Sequence, residues 1–324
     1  MAENDNIYIY SILWVNVMNF FLILNNKKDT GFETAAKIVG FLTGMNECSC
    51  VDIPKETFDI CGGEIPQILK NTGAHSVPKD ECLNLCDIAV VIGGDGTILK
   101  AAKLLYGKNI PIIGINLGKV GYMAELEVGE CELMSALLPG SDVKSEVHID
   151  ERMMLSCSVV RNGKTVFSTV CLNEAVVAKG DIARMIDLRM CLNGDVIAEY
   201  QCDGIIAATP TGSTAYSMSA GGAVIDPKIE CISVIPLCPY LCINSSPIIF
   251  SKDSEIEIFY SSSRENSAYL STDGEEGFLL CDKDRIIVCA AEHTTKLLRF
   301  KKTDFYKLLN TKLTNRLSEL ADRT

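Results

Sequence analysis

The apolar residues of this chain change their spacing part-way along it, and that change limits the folds open to it. In the first half they come as short runs that read as strands, at Phe20–Leu24, within Asp87–Ile92 and at Ile110–Asn116. Between the runs the spacing turns helical, over Phe32–Leu42 and Ile98–Tyr106. Continuous apolar strands separated by helices are buried on both faces, which is the pattern of a parallel sheet under helical cover. After about Val143 the residues alternate instead. MMLSCSVV, RNGK and TVFSTVCL read as strand, turn and strand, and MIDLRMCL, NGD and VIAEYQC repeat the device at Asn193-Gly194. Asn-Gly between alternating runs is the strongest short hairpin signal. EIEIFY and RIIVCAA add further strands, so an antiparallel β-rich domain is expected to follow the α/β one.

The last segment, TDFYKLLNTKLTNRLSELADR, predicts a helix. Thr303 can cap it, and Phe305, Leu308, Leu309, Leu313, Leu317 and Leu320 make one apolar stripe. The expected division is an extension over residues 1–17, a Rossmann-like α/β domain with a parallel sheet over 18–145, a β-rich domain over 146–290, and a C-terminal segment over 291–324 whose helix returns to the first domain.

With a formal net charge of −12, broad electrostatic binding to nucleic acid or an anionic membrane is not expected. An anionic substrate therefore needs a local basic site. The fifteen cysteines include no CxxC pair and only three histidines accompany them, which argues against zinc. Buried reduced thiols in a cytoplasmic protein account for them better. The uncharged run Ile7–Leu24 raises a membrane helix or signal peptide, but MAENDN before it carries acids and no base. Ser11, Asn16 and Asn19 interrupt it, and its second half is the first strand. No membrane association is expected.

Where the run IAVVIG ends, the chain reads GGDGT and then becomes helical. Glycines let a backbone approach a ligand closely, and a helix N-terminus favours anions. An aspartate there repels phosphate unless a metal bridges them or the carboxylate has a proton to remove. GGDGT is not a P-loop, and GxGxxG fails at Leu99. By itself it is also compatible with a structural turn in which Asp95 caps the helix. A second stretch, DGIIAATPTGSTAYSMSAGG over Asp203–Gly222, gathers small hydroxyl and glycine residues between apolar flanks. Such residues present N–H and O–H groups without bulk, as a sugar or phosphate requires.

Together these segments resemble the NAD kinases, which phosphorylate NAD on its adenosine ribose 2′-hydroxyl. The likeness runs from Met18 onward: NNKKD, GGDGT at Gly93–Thr97, NLGKVGYMAEL at Asn116–Leu126, ERMML, LNEAVV with Asn173-Glu174, DGIIAATPTGSTAYSMSAGG, PLCPY and LLRFKKTDFYKLL follow in the family's order. GGDGT alone also occurs in lipid kinases and phosphofructokinases; the ordered set is specific.

The resemblance implies that Asp95 is the catalytic aspartate and that Gly96 lies beside it on the dinucleotide. Gly93, Gly94, Gly96 and Thr97 are implied at the ATP phosphates, with Lys100 and Arg184 adding positive charge. Asn173, Glu174, Gln201, Asp203, Thr211, Thr214, Ala215, Tyr216, Ser217, Met218, Ser219 and Glu275 are implied in NAD binding. Tyr122 takes the family's aromatic position and is equally compatible with stacking on adenine or with core packing. Three segments depart from the family: GKVGYMAE replaces the usual Leu-Gly-Phe-Leu-Thr-Glu, Glu275 stands where Gln is common, and Gln201 where a base is common. The last two changes remove donors or add negative charge near a phosphate-bearing ligand, which bears on how NADP and NADH are treated. ATP carrying magnesium or another divalent ion is the implied donor, with no tightly bound cofactor and a homodimer or homotetramer as the assembly. A GGDGT lipid kinase would need an acyl site or basic membrane face, and a silent dinucleotide sensor would have lost Asp95.

Overall fold

The computed structural model describes residues 18–45, 48–118, 121–138, 141–143, 147–182, 184–240, 246–262, 267–302, 305–311 and 314. The expected extension before Met18 lies outside these residues, as do Thr303, Leu313, Leu317 and Leu320 of the terminal stripe. Residues 152–295 form one compact unit, and the chain up to 151 with the chain from 296 forms the other.

The first unit runs β1 (Met18–Leu24), α1 (Glu33–Thr43), β2 (Cys48–Pro54), β3 (His75–Val77), α2 (Lys79–Leu85), β4 (Ile88–Gly93), α3 (Asp95–Leu104), β5 (Ile112–Asn116), β6 (Leu126–Glu127) and β7 (His148–Arg152). Its sheet has the order β3-β2-β1-β4-β5, then the late strand Thr295–Arg299 and β7, with β6 beside β5. The pairings from β3 to the late strand are parallel. Such strands must be apolar on both faces, and β4 and β5 are buried along their whole length. Ala35, Ile38, Val39 and Leu42 of α1 close one side of a core that includes Phe20, Leu22, Val90 and Ile113. Helix α1 starts where the Asp29 carboxylate accepts the N–H groups of Thr34 and Ala35, at 3.3 and 2.9 Å. Arg299 ties the late strand in through Asp150 and Glu125, and residues 305–311 are helical.

Helix α3 begins at Asp95, three residues before the expected Ile98, because the turn starts as soon as Gly94 leaves the extended strand. Strand β2 was not expected at all. Its sequence, CSCVDIP, mixes thiols with an acid, and Asp52 is buried there with the Cys50 thiol donating to it at 3.3 Å.

The second unit contains β8 (Leu155–Arg161), β9 (Lys164–Cys171), β10 (Glu174–Lys179), β11 (Ile186–Leu192), β12 (Asp195–Cys202), β13 (Gly204–Ala208), β14 (Cys231–Leu237), β15 (Ile248–Ser251), β16 (Ile256–Ser261), β17 (Ala268–Thr272), β18 (Phe278–Leu280) and β19 (Arg285–Ala290). They form two six-stranded sheets, β15-β14-β13-β10-β17-β18 and β12-β11-β16-β19-β8-β9, in which neighbouring strands are antiparallel. Leu188 and Tyr260 of one sheet share a core with Ile205 and Leu270 of the other. The expected turns carry β8 into β9 and β11 into β12: Asn162 and Gly163 have φ of 51° and 75°, Asn193 and Gly194 of 52° and 85°. Both central residues being left-handed is the twist that a two-residue hairpin needs.

The described cysteines are free thiols. Burial, with Asp52 beside them, pushes Cys50 and Cys82 up to about 12, so they stay protonated.

Candidate active site

In the first unit the site is built at the carboxyl ends of β4 and β5, where open α/β sheets bind ligands. Gly93 and Asn116 are partners in the pairing of those strands, and the Leu117 N–H donates to Gly93. A Cβ on Gly93 would overlap the Thr97 side chain. Thr97 is itself buried, its hydroxyl accepting the Asn25 amide at 3.1 Å. Thr97 therefore faces inward and holds the NNKKD loop to α3.

Asp95 does not cap its helix. No side-chain cap bond is made there; its carboxylate instead accepts the N–H groups of Tyr122 at 2.8 Å and Met123 at 3.1 Å. Gly121 permits this approach, since a Cβ on it would overlap Asp95 Oδ1. The capping interpretation of Asp95 is thereby replaced by a carboxylate aimed by a neighbouring backbone. Gly96 is exposed, with nothing within 4 Å of where its Cβ would lie. Among the described residues no protein atom requires glycine there. Its backbone is therefore open to close approach.

Two residues of this half were not singled out in advance. Lys28 extends its ammonium over the turn, 3.2 Å from the Cβ position of Gly94 and 3.5 Å from that of Gly118. Asn116 is buried, donates to the Gly118 carbonyl and to Glu127, and keeps its Oδ1 without a partner among the described residues. Both lie inside segments already quoted, NNKKD and NLGKVGYMAEL, but single positions in them carry no periodicity that marks them. Lys100 is exposed one turn further along α3, and Tyr122 is half-buried.

In the second unit, Leu172–Glu174 connects β9 to β10 beside the 209–222 loop. The Thr209 hydroxyl donates to Leu172 at 2.6 Å, the Thr209 N–H to Asn173 at 2.8 Å, and a Cβ on Gly212 would overlap the Asn173 carbonyl. Ser213 and Thr214 donate to carbonyls within the loop, and Thr211 accepts from Arg152 at 3.3 Å. These hydroxyls build the loop. Ser217 differs: its Oγ is buried without a partner, as is Oε2 of Glu174, among the described residues. Glu174 accepts the Tyr216 N–H, yet burial and then the charge of Asp273 raise its carboxyl to about 7. Unpartnered buried polar atoms cost about 1–3 kcal/mol each, so two of them near one helical turn mark a place where a ligand supplies the missing bonds.

Ala215 and Met218 are half-buried, while Tyr216 and Ser219 are exposed. Asp203 pairs with Lys179 at 2.6 Å, a cation the sequence motifs did not single out. Gln201 donates to Asp187 at 3.2 Å, and Arg184 is exposed near Asp181. Glu275 is half-buried in the turn after β17.

Residues 22–138 match the family model for the ATP-NAD kinase N-terminal domain, and residues 172–300 that for the C-terminal domain. The NAD kinase of Geobacter metallireducens is 40% identical over 244 residues, 75% of this chain and 84% of that protein. This chain belongs to the NAD kinase family. The NAD kinase of Desulforamulus reducens is 39% identical over 293 residues, 90% of this kinase and 96% of its relative. Among solved structures, an NAD kinase from Archaeoglobus fulgidus in complex with ATP superposes with a TM-score of 0.63 at 25% identity, covering 92% and 99% of the two chains. Yeast NADH kinase complexed with NADH superposes with a TM-score of 0.79 over 92% and 88%, and at 23% identity it shares the fold with this kinase.

Proposed function

We propose that this kinase transfers the γ-phosphoryl of ATP to the 2′-hydroxyl of the adenosine ribose of NAD, making NADP, with Asp95 as the base. The observation that carries this reading is the Asp95 carboxylate, turned away from its own helix and aimed by two backbone N–H groups beside a bare glycine. A sugar hydroxyl is a poor nucleophile at neutral pH, and a carboxylate within hydrogen-bond reach both orients it and takes its proton. Phosphoryl transfer then depends on positioning and on neutralising charge. Magnesium arrives on the ATP phosphates as part of that substrate. Gly94 and Gly96 leave room for phosphates, Gly93 makes room for Thr97 beneath them, and Lys100 adds positive charge.

In the second unit, Asn173, Glu174, Asp203 and the Thr214–Ser219 run hold the bases and riboses of NAD, with Glu174 Oε2 and Ser217 Oγ offering free lone pairs. Arg184, Gln201, Thr211 and Glu275 complete the NAD contacts, and Tyr122 stacks on adenine. Incubation with NAD, ATP and magnesium yields NADP under this reading, and a protein that binds NAD without forming NADP overturns it. The same reading expects a cytoplasmic homodimer or homotetramer, which light scattering checks.

Lys28 belongs to the donor phosphates. The chain is acidic overall, so a cation over the turn is the local counter-charge that a polyphosphate needs. Charge-assisted bonds contribute about 1.5–3 kcal/mol, so Lys28→Met lowers kcat/KM for ATP about 10–100-fold while NAD affinity holds. Lys28→Arg retains most of the activity. An unchanged ATP dependence in Lys28→Met removes the residue from the donor site.

A further inference from the structure

The two residues Leu172 and Asn173 carry the chain from β9 into β10, and so from one sheet of the second unit to the other. Three successive N–H groups of this crossing converge on one side chain. Asp273 Oδ2 accepts from Leu172 at 2.8 Å, and Asp273 Oδ1 accepts from Asn173 at 2.8 Å and from Glu174 at 3.2 Å. The Asp273 N–H returns a bond to the Glu174 carbonyl at 3.0 Å. Consecutive N–H groups aimed at one anion form a small concave nest, here filled by the protein's own carboxylate.

Asp273 reaches this position through an uncommon backbone. Its φ is +50° and that of Gly274 is +73°, a left-handed pair at the end of β17. A non-glycine residue in that region persists where its surroundings over-determine it. The carbonyls of the crossing are held from the other side by Thr209, and Gly212 lies against Asn173. With N–H groups and carbonyls both engaged, the side chains of Asn173 and Glu174 have their directions imposed on them.

We propose that Asp273 is the positioning residue that aims Asn173 and Glu174 at NAD. The proposal rests on the reading that those two side chains bind the dinucleotide. Asp273 acts on them in two ways, by fixing the backbone and by placing a charge beside Glu174. The buried Cys171 thiol at the end of β9, bonded first to the Cys157 thiol, also feels both carboxylates. The Tyr216 N–H is the donor that reaches Glu174 from the 209–222 loop.

The test uses full-length Asp273→Asn, with NAD affinity by calorimetry and steady-state kinetics from pH 5.5 to 8.5. An amide keeps one oxygen for the crossing but turns a donor toward the Leu172 N–H and removes the charge. The Kd and KM for NAD are expected to rise about ten-fold, with the KM for ATP unchanged. The pH at which NAD affinity changes moves lower, and the shift disappears when Glu174→Gln is added. A folded Asp273→Asn protein with wild-type NAD affinity and an unmoved pH profile overturns the proposal. A purely structural role lowers Tm and leaves both as they were. Because calorimetry needs no turnover, a wild-type protein that binds NAD without making NADP refutes the assigned reaction and leaves this proposal open to the same measurement.

Discussion

Asp95→Asn lowers kcat by about 10²–10⁴-fold, the usual contribution of a positioned general base. The amide has nearly the same shape and cannot take the proton of the 2′-hydroxyl. Its oxygen still accepts one of the two N–H groups from Tyr122 and Met123, but its NH2 opposes the other. A modest fall in Tm is therefore expected alongside the kinetic loss. NAD affinity holds or improves, because a negative charge near the pyrophosphate has gone. If Asp95 served only to tie down residues 121–123, Tm would fall and the folded fraction would keep near wild-type turnover. Measuring kcat, NAD binding and Tm on this one variant separates the two roles.

Glu174→Gln makes the protein more stable and a poorer enzyme. Raising a carboxyl from 4.5 to about 7 corresponds to a native-state penalty of about 3 kcal/mol once the group is ionised. Between those two pH values the native protein keeps a proton that the unfolded chain releases. Its stability therefore falls as pH rises through the window and levels off above about 7. Glutamine removes that slope, so the gain is largest near pH 8 and absent near pH 4. NAD affinity falls about ten-fold as the ionisable acceptor is lost. Thermal unfolding of both proteins at pH 5 and pH 8 checks the claim, and identical pH slopes refute it. A site that costs stability and supplies binding is the familiar exchange between the two.

Much of the fold was legible because its signals are local. The unbroken run at β4 followed by Gly93-Gly94 marks a buried strand entering a helix, and Asn162-Gly163 and Asn193-Gly194 mark hairpins by the conformations they adopt. Strand β2 escaped notice because its sequence, CSCVDIP, sets a buried acid among thiols where a parallel strand usually shows an unbroken apolar run. The family motifs pointed to Asp95 and Glu174, but not to what holds them. Asp95 takes its direction from residues 27 and 28 positions away, and Asp273 lies about a hundred positions from the backbone it grips. Lys28 is one of two adjacent lysines, and only the tethering of its loop at Asn25 and Asp29 distinguishes it. Contacts of that separation leave no periodic trace.

The way Asp95 is held has a consequence for how this enzyme can diversify. Its two donors are main-chain groups, which every residue except proline possesses. The half-buried side chain at position 122 can therefore change while the Asp95 carboxylate keeps its two backbone donors, whereas Met123 is packed in the core. Gly121 is bound to its identity, since a Cβ there would collide with Asp95. The aim of the Asp95 carboxylate is thus wired separately from the side chain at position 122, which can be exchanged without disturbing it.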